Sequence, residues 1–200
     1  MIRDCVVIAV EGTHASGKTT LVHALTSHLR ERGLHAACTG EPARHSPFLE
    51  EIVLHNKGEF DRAAELDLFG AQITTQLRAA RNQQALVTDK TLLNVIAYSS
   101  LLLPEEDTPL LNAMTYLCGA ATYLYDAVFY TSDAFDPRQA GDDFRAKVAD
   151  RQHDVDKALR TTAAEVGLPL INVPQGLSTA KRVEWISTHL AETNLLSALG

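Results

Sequence analysis

The run Gly12-Thr13-His14-Ala15-Ser16-Gly17-Lys18-Thr19 sets two glycines, a lysine and a hydroxyl at the spacing Gly-x4-Gly-Lys-Thr. That order of residue types suits the binding of phosphates. Successive backbone N–H groups of such a turn converge on an anion, and the glycines let the backbone come close to it. Lys18 would bridge the outermost phosphates of a nucleoside triphosphate, and the Thr19 hydroxyl would sit on a magnesium ion. His14 lies inside the loop, and Thr20 extends the expected cradle by one residue.

Several more residues could act on a bound triphosphate. Asp89 ends an apolar run, as a carboxylate ordering the magnesium shell would, although an aspartate there could also cap the next helix. Glu41, held by Pro42, could take a proton from an attacking hydroxyl as a general base. Arg138, Arg145 and Arg151 lie in or beyond a loop rich in Pro, Gly and Asp. One of them, Arg145 first, would close on the phosphates and neutralise charge that develops in transfer. Gln72 and Gln76 stand one turn apart and could hydrogen-bond an acceptor molecule. The run Asn56-Lys57-Gly58-Glu59 looks like a guanine-reading motif. It ends a helix instead of following a strand, and has Glu59 in place of aspartate, so it is set aside.

These residues need a scaffold. Val6–Val10 reads as a buried strand leading into the loop, and Leu21, Leu25 and Leu29 mark one face of the helix after it. That helix runs to about Arg32 and stops at Gly33. Strands are expected at His35–Thr39, Ala85–Thr88, Ala127–Tyr130 and Leu170–Val173. Helices are expected from Ser46-Pro47 to near Gly58, from Asp61 to about Gln84 with Leu66, Phe69, Ile73 and Leu77 on one face, and from Leu92 to Pro104. Others should run from Thr108-Pro109 to about Tyr125, from Asp143 to Val166, and from Thr179 onward. Tyr116, Tyr123 and Tyr125 read as packing residues. The alternation of strand and helix implies one three-layer α/β domain over residues 1–200: a parallel five-stranded sheet covered on both faces. The expected strand order is 2-3-1-4-5, with a lid segment at about 131–151.

Composition narrows the partners. The chain has 200 residues, 46% of them hydrophobic and 22% charged, with a net charge of −7. That balance argues against a nucleic-acid backbone as partner. No apolar run is long enough to span a bilayer. Three scattered cysteines suit neither a disulfide framework nor a zinc site, so the chain reads as cytoplasmic. Nothing in the sequence fixes the oligomeric state, and a homodimer is compatible with it.

The chain resembles the thymidylate-kinase and deoxynucleoside-kinase branch of the P-loop kinases. Glu11-Gly12, Ser16-Gly17-Lys18-Thr19-Thr20, Glu41-Pro42, Glu65-Leu66-Asp67-Leu68-Phe69-Gly70-Ala71 and Val87-Thr88-Asp89-Lys90 carry the likeness. It is also similar to the NadR-type ribosylnicotinamide kinases, through Glu41-Pro42-Ala43-Arg44, Asp89 with Ala97-Tyr98, and Asp143 with Arg145. The resemblance implies ATP and Mg2+ as cofactors, and an acceptor site including Glu41, Arg44, Phe69, Gln72, Gln76 and Lys90. Thymidylate kinases hold their acceptor's phosphate with arginines, yet Gly40, Ile73 and Lys90 stand in those places, and His14 replaces an aspartate. Losing forked donors leaves a doubly charged phosphate poorly paired. The expectation is therefore an ATP-dependent phosphotransferase that moves the γ-phosphoryl to a hydroxyl of a small nucleoside-like acceptor. Its alternatives are a thymidylate-like monophosphate kinase and a regulatory NTP-binding switch with no acceptor.

Overall fold

The structure is a computed structural model, and it describes residues 4–13, 15–54, 60–133 and 152–195. Strand β1 (Val6–Gly12) is buried along its whole length because it is covered on both faces. Its side chains alternate between two cores, as the two-residue repeat of a strand demands. Val6, Ile8 and Val10 point toward α1 (Lys18–Glu31) and α7 (Thr179–Glu192). Val7 and Ala9 point to the opposite core, which is closed by α3 (Arg62–Ala79), α4 (Leu92–Leu102), α5 (Thr108–Ala120) and α6 (Gln152–Glu165).

The sheet has five strands: β1, β2 (Ala36–Cys38), β3 (Ala85–Asp89), β4 (Ala127–Thr131) and β5 (Ile171–Asn172). They lie in the order β2-β3-β1-β4-β5, with every pairing parallel. The expected fold is the observed one. The central pairing puts Val10 opposite Asp89, and the β1–β4 pairing puts Gly12 opposite Thr131. The carboxyl ends of β1, β3 and β4 thus meet at one edge, where open parallel sheets gather their chemistry.

Local chemistry sets the element ends. Leu21, Leu25 and Leu29 are fully buried along α1, and Gly33 closes that helix in the left-handed region at φ 86. The Asp61 side chain caps α3 by accepting from the Ala64 amide at 2.9 Å. That helix stops at Ala79, short of Gln84, because the following residues turn back into the sheet. Asn82 takes a left-handed φ of 60, and the Gln84 amide donates to the His35 carbonyl at 2.8 Å. The segment after Ser46 forms a short helix α2 (Pro47–Leu49) that widens into a π-type turn over Glu50–Leu54. Helix α5 ends at Ala120. Tyr116 and Tyr123 are 83% and 81% exposed, so only Tyr125 of the three tyrosines packs inside. Leu66 is likewise exposed, leaving Phe69, Ile73 and Leu77 to join α3 to the core.

Candidate active site

The loop after β1 depends on glycine where the backbone leaves the ordinary regions. Gly12 sits at φ +145, and a Cβ there would meet the Thr131 carbonyl oxygen at 2.2 Å. Gly17 takes a left-handed φ of 81 as the N-cap of α1, and no side chain caps that helix end. Its first N–H groups therefore face the loop, together with the positive end of the helix dipole. Ser16 Oγ donates to the Thr13 carbonyl at 2.9 Å and pairs with Thr131 Oγ1 at 2.8 Å, closing the turn against β4.

Lys18 is almost fully buried, and its ammonium donates to the Thr13 carbonyl and, at 3.3 Å, to Ser16 Oγ. Burial and, next, the nearby Lys90 ammonium push its pKa down to about 8, against the pull of Asp89, Glu11 and Glu41. A lysine so placed gains from any anion that enters the loop.

The Thr19 hydroxyl donates to Asp89 Oδ2 at 2.7 Å. Asp89 is 1% exposed, and its second oxygen, Oδ1, has no hydrogen-bond partner among the described residues. Buried acceptors without donors are costly and rare. The helix-cap reading of Asp89 fails, because Thr91 caps α4 by accepting from the Leu93 amide at 3.2 Å.

Glu41 Oε1 receives the Lys90 ammonium at 2.6 Å. Burial would lower the Lys90 pKa, but Glu41, with Tyr98 and Asp89 behind it, holds it well above the usual lysine value. Lys90 has a left-handed φ of 71, unusual for a residue with a side chain. Its carbonyl accepts from Gln72 Nε2 at 3.2 Å, Gln76 Nε2 at 3.1 Å and Thr88 Oγ1 at 3.2 Å. The two glutamines, expected to face an acceptor, instead fasten the turn that aims Lys90 at Glu41. Gln76 is fully engaged: its amide nitrogen also donates to Thr88 Oγ1 at 3.0 Å, and its oxygen accepts from the Tyr125 hydroxyl at 2.8 Å. Phe69 packs in the core, with Ile73 packed against the same cluster.

Two residues join the site that reading the chain did not assign a role. Glu11 is fully buried and accepts from the Gly12 amide, the Thr91 amide and hydroxyl, and Asn94 Nδ2 at 2.7–3.1 Å. It locks the turn after β3 to the loop after β1. Arg182 of α7 is 3% exposed and donates to the Ser16 carbonyl at 3.1 Å. Its signal was its phase: it lies four residues before the buried Ile186, on the core-facing side of a helix.

His14, Arg138, Arg145 and Arg151 lie outside the described residues, as do Asn56-Lys57-Gly58-Glu59 and most of the lid segment. The Arg44 backbone falls in a 3-10 turn over Pro42–His45. Thr20 is on the first turn of α1, exposed. No group of three or more His, Cys, Asp or Glu side chains gathers as a metal cage among the described residues.

A phosphate-binding loop, a strand-end carboxylate on its hydroxyl and a parallel 2-3-1-4-5 sheet agree with what sequence comparison finds, since a family described as AAA domain matches residues 7–181. The chain belongs to this AAA domain family. The AAA domain's fold is similar to that of a NadR protein solved in complex with NR, with a TM-score of 0.72 and 21% identity over 96% of this chain. It is similar also to a NadR protein solved with NAD and AMP-PNP, with a TM-score of 0.67 and 20% identity over 95% of this chain. These matches cover 51% and 50% of the NadR chains, so the AAA domain spans about half their length. No curated protein sequence matches it. No helix among the described residues is long and apolar enough to cross a membrane.

Proposed function

We propose that this AAA domain is a kinase that moves the γ-phosphoryl of ATP to a hydroxyl of a small nucleoside-like acceptor. One observation carries the reading: the Thr19–Asp89 contact and the Lys90–Glu41 pair stand at the ends of adjacent elements, and the Lys18 ammonium feels the charges of both. A triphosphate site and a carboxylate able to receive a proton thus share one sheet edge. The NadR neighbours, solved with NR and with AMP-PNP, support a nucleotide donor and a ribosyl acceptor.

The donor set also suits Mg2+. Asp89 Oδ1 is a hard oxygen ligand, buried and unpartnered, and the Thr19 hydroxyl is beside it. One carboxylate, one hydroxyl and substrate phosphates make a magnesium site without a protein cage. Bound there, the ion would neutralise charge on the transferring phosphate. Lys18 would move from the Thr13 carbonyl onto the phosphates, and the α1 N–H groups would hold them. Glu41 would accept the acceptor's proton while Lys90 fixes its orientation. Arg145, or Arg138 or Arg151 in its place, would close from the lid.

An acceptor without a phosphate fits best. Ile73 is turned into the core, and the Lys90 charge is already paired with Glu41. A phosphate in that place would compete for one ammonium against an ion pair. The reading is tested by following ADP formation from ATP with Mg2+ and nucleoside acceptors. Lys18→Ala should lower turnover a hundredfold or more with the fold intact. Unchanged turnover in that variant would remove the loop from the mechanism.

A further inference from the structure

Arg182 reaches three separate carbonyl or carboxylate groups from one guanidinium. Its Nε donates to the Leu177 carbonyl at 3.0 Å, its Nη1 to the Ser16 carbonyl at 3.1 Å, and its Nη2 lies 2.9 Å from Asp133 Oδ2. Asp133 is fixed in turn, accepting from the Gly176 amide at 2.9 Å, while Gln175 Nε2 donates to the neighbouring Ser132 Oγ at 2.8 Å. The fork therefore has one orientation. Its charge is neutralised by Asp133, so a general positive potential is not its contribution.

The geometry of the Ser16–Gly17 peptide gives it another. A planar trans peptide points its C=O and its N–H in opposite directions. A Ser16 carbonyl drawn out to Arg182 turns the Gly17 N–H the other way, into the loop. Gly17 is the left-handed residue that opens α1, so this peptide is the one the chain is freest to rotate. We infer that Arg182 is a positioning residue of the phosphate cradle: by holding the Ser16 carbonyl outward it keeps the Gly17 N–H aimed at the β-phosphate of the nucleotide. This inference rests on residues 12–20 being a phosphate cradle, and on nothing about the acceptor.

A lysine reaches one such acceptor at a time and cannot reproduce the fork. The test is calorimetric titration of ADP and of AMP into the wild-type chain and into Arg182→Lys, Arg182→Met and Asp133→Asn, with thermal unfolding of each. Loss of one well-aimed bond to a charged phosphate weakens binding by about tenfold. Arg182→Met should therefore lose about tenfold in ADP affinity while AMP, which has no β-phosphate, changes little. Arg182→Lys should recover part of that loss. Asp133→Asn keeps the arginine but loosens its aim, and should lose less than Arg182→Met; it carries the test if Arg182→Met does not fold. An ADP-to-AMP affinity ratio that stays constant across the variants, whatever their melting temperatures, would overturn the inference and leave Arg182 a packing staple. A wild-type chain that binds neither nucleotide would be a different result: it would refute the cradle itself.

Discussion

The Thr19 hydroxyl and Asp89 Oδ2 are 2.7 Å apart although 70 residues separate them in the chain. The parallel pairing of β1 with β3 makes this contact, since Val10 lies opposite Asp89 and the loop after β1 returns to start α1 beside that strand end. The same contact leaves Asp89 Oδ1 buried and unpartnered among the described residues, a cost carried at the end of β3.

Asp89→Asn should separate metal handling from stability. The amide oxygen can still accept from Thr19, and no buried carboxylate remains to be desolvated. We expect unfolding free energy to change by less than about 1 kcal/mol while the Mg2+ dependence of nucleotide affinity disappears and turnover falls about a hundredfold. An unchanged Mg2+ dependence in isothermal titration would place the ion elsewhere.

The lowered pKa of Lys18, about 8, predicts two opposite pH trends from one proton. In the unfolded chain a lysine titrates near its ordinary value of 10.5. Between these values the unfolded state holds the extra proton, so the Lys18 contribution to stability rises with pH from about 8 upward. Phosphate binding needs the charged ammonium, so nucleotide affinity should fall through the same window. Comparing wild type with Lys18→Met in denaturant titrations and in nucleotide binding, from pH 7 to 10, isolates both trends. Parallel trends would contradict the burial of this lysine.

Glu65 of α3 is buried against Ser99, whose hydroxyl donates to Oε2 at 2.7 Å, and its Oε1 has no partner among the described residues. Burial pushes its pKa up to about 7 from 4.5, with Asp61 adding to the rise against the opposing Ser99 bond. A carboxyl raised in the folded state contributes stability below pH 4.5 that is lost as pH climbs through 7. The loss amounts to about 3 kcal/mol. Glu65→Gln should flatten that slope, leaving the variant the more stable of the two at pH 8. Melting curves from pH 4 to 8 that decline equally in both proteins would show that Glu65 stays charged.

Gly12→Ala should destabilise strongly and Gly40→Ala barely. A Cβ at Gly12 would meet the Thr131 carbonyl at 2.2 Å on a backbone with φ +145, whereas one at Gly40 meets nothing within 4 Å. The expected costs are about 3 kcal/mol for the first and under about 0.5 kcal/mol for the second. Equal denaturation midpoints for the two variants would contradict the geometry of the loop.

The sheet, its strand order and the Lys18–Thr19–Asp89 group were legible in the chain because each leaves a local mark. Apolar runs of strand length, glycine at fixed spacing and a carboxylate at a strand end can be read without knowing what packs on them. The glutamines show the limit. Gln72 and Gln76 have the spacing of any pair on one helix face, and only the path of the turn at Lys90 decides that they hold backbone. Tyr116 and Tyr123 failed for a related reason: their types favour burial, but Tyr116 lies on the outer face of α5, opposite the buried Met114 and Cys118, and Tyr123 lies exposed beyond the helix end at Ala120. Arg182 belongs to a third kind. Its neighbours along α7 mark its position as inward-facing, yet its partners Ser16 and Asp133 come from distant segments that no local pattern connects.

Phosphoryl transfer to an unphosphorylated hydroxyl is tested most directly by identifying the product. The purified chain, supplied with ATP and Mg2+, is given in turn nucleosides, their monophosphates and ribosylated pyridines, and new phosphate esters are read by 31P NMR alongside ADP. The expected product is a monoester on an acceptor that began with no phosphate. Turnover of the matching monophosphate should be lower by roughly two to four orders of magnitude, the equivalent of two missing charge-assisted bonds. Preferential conversion of a monophosphate to a diphosphate would contradict it, as would ADP formation that no acceptor raises above the rate with water alone.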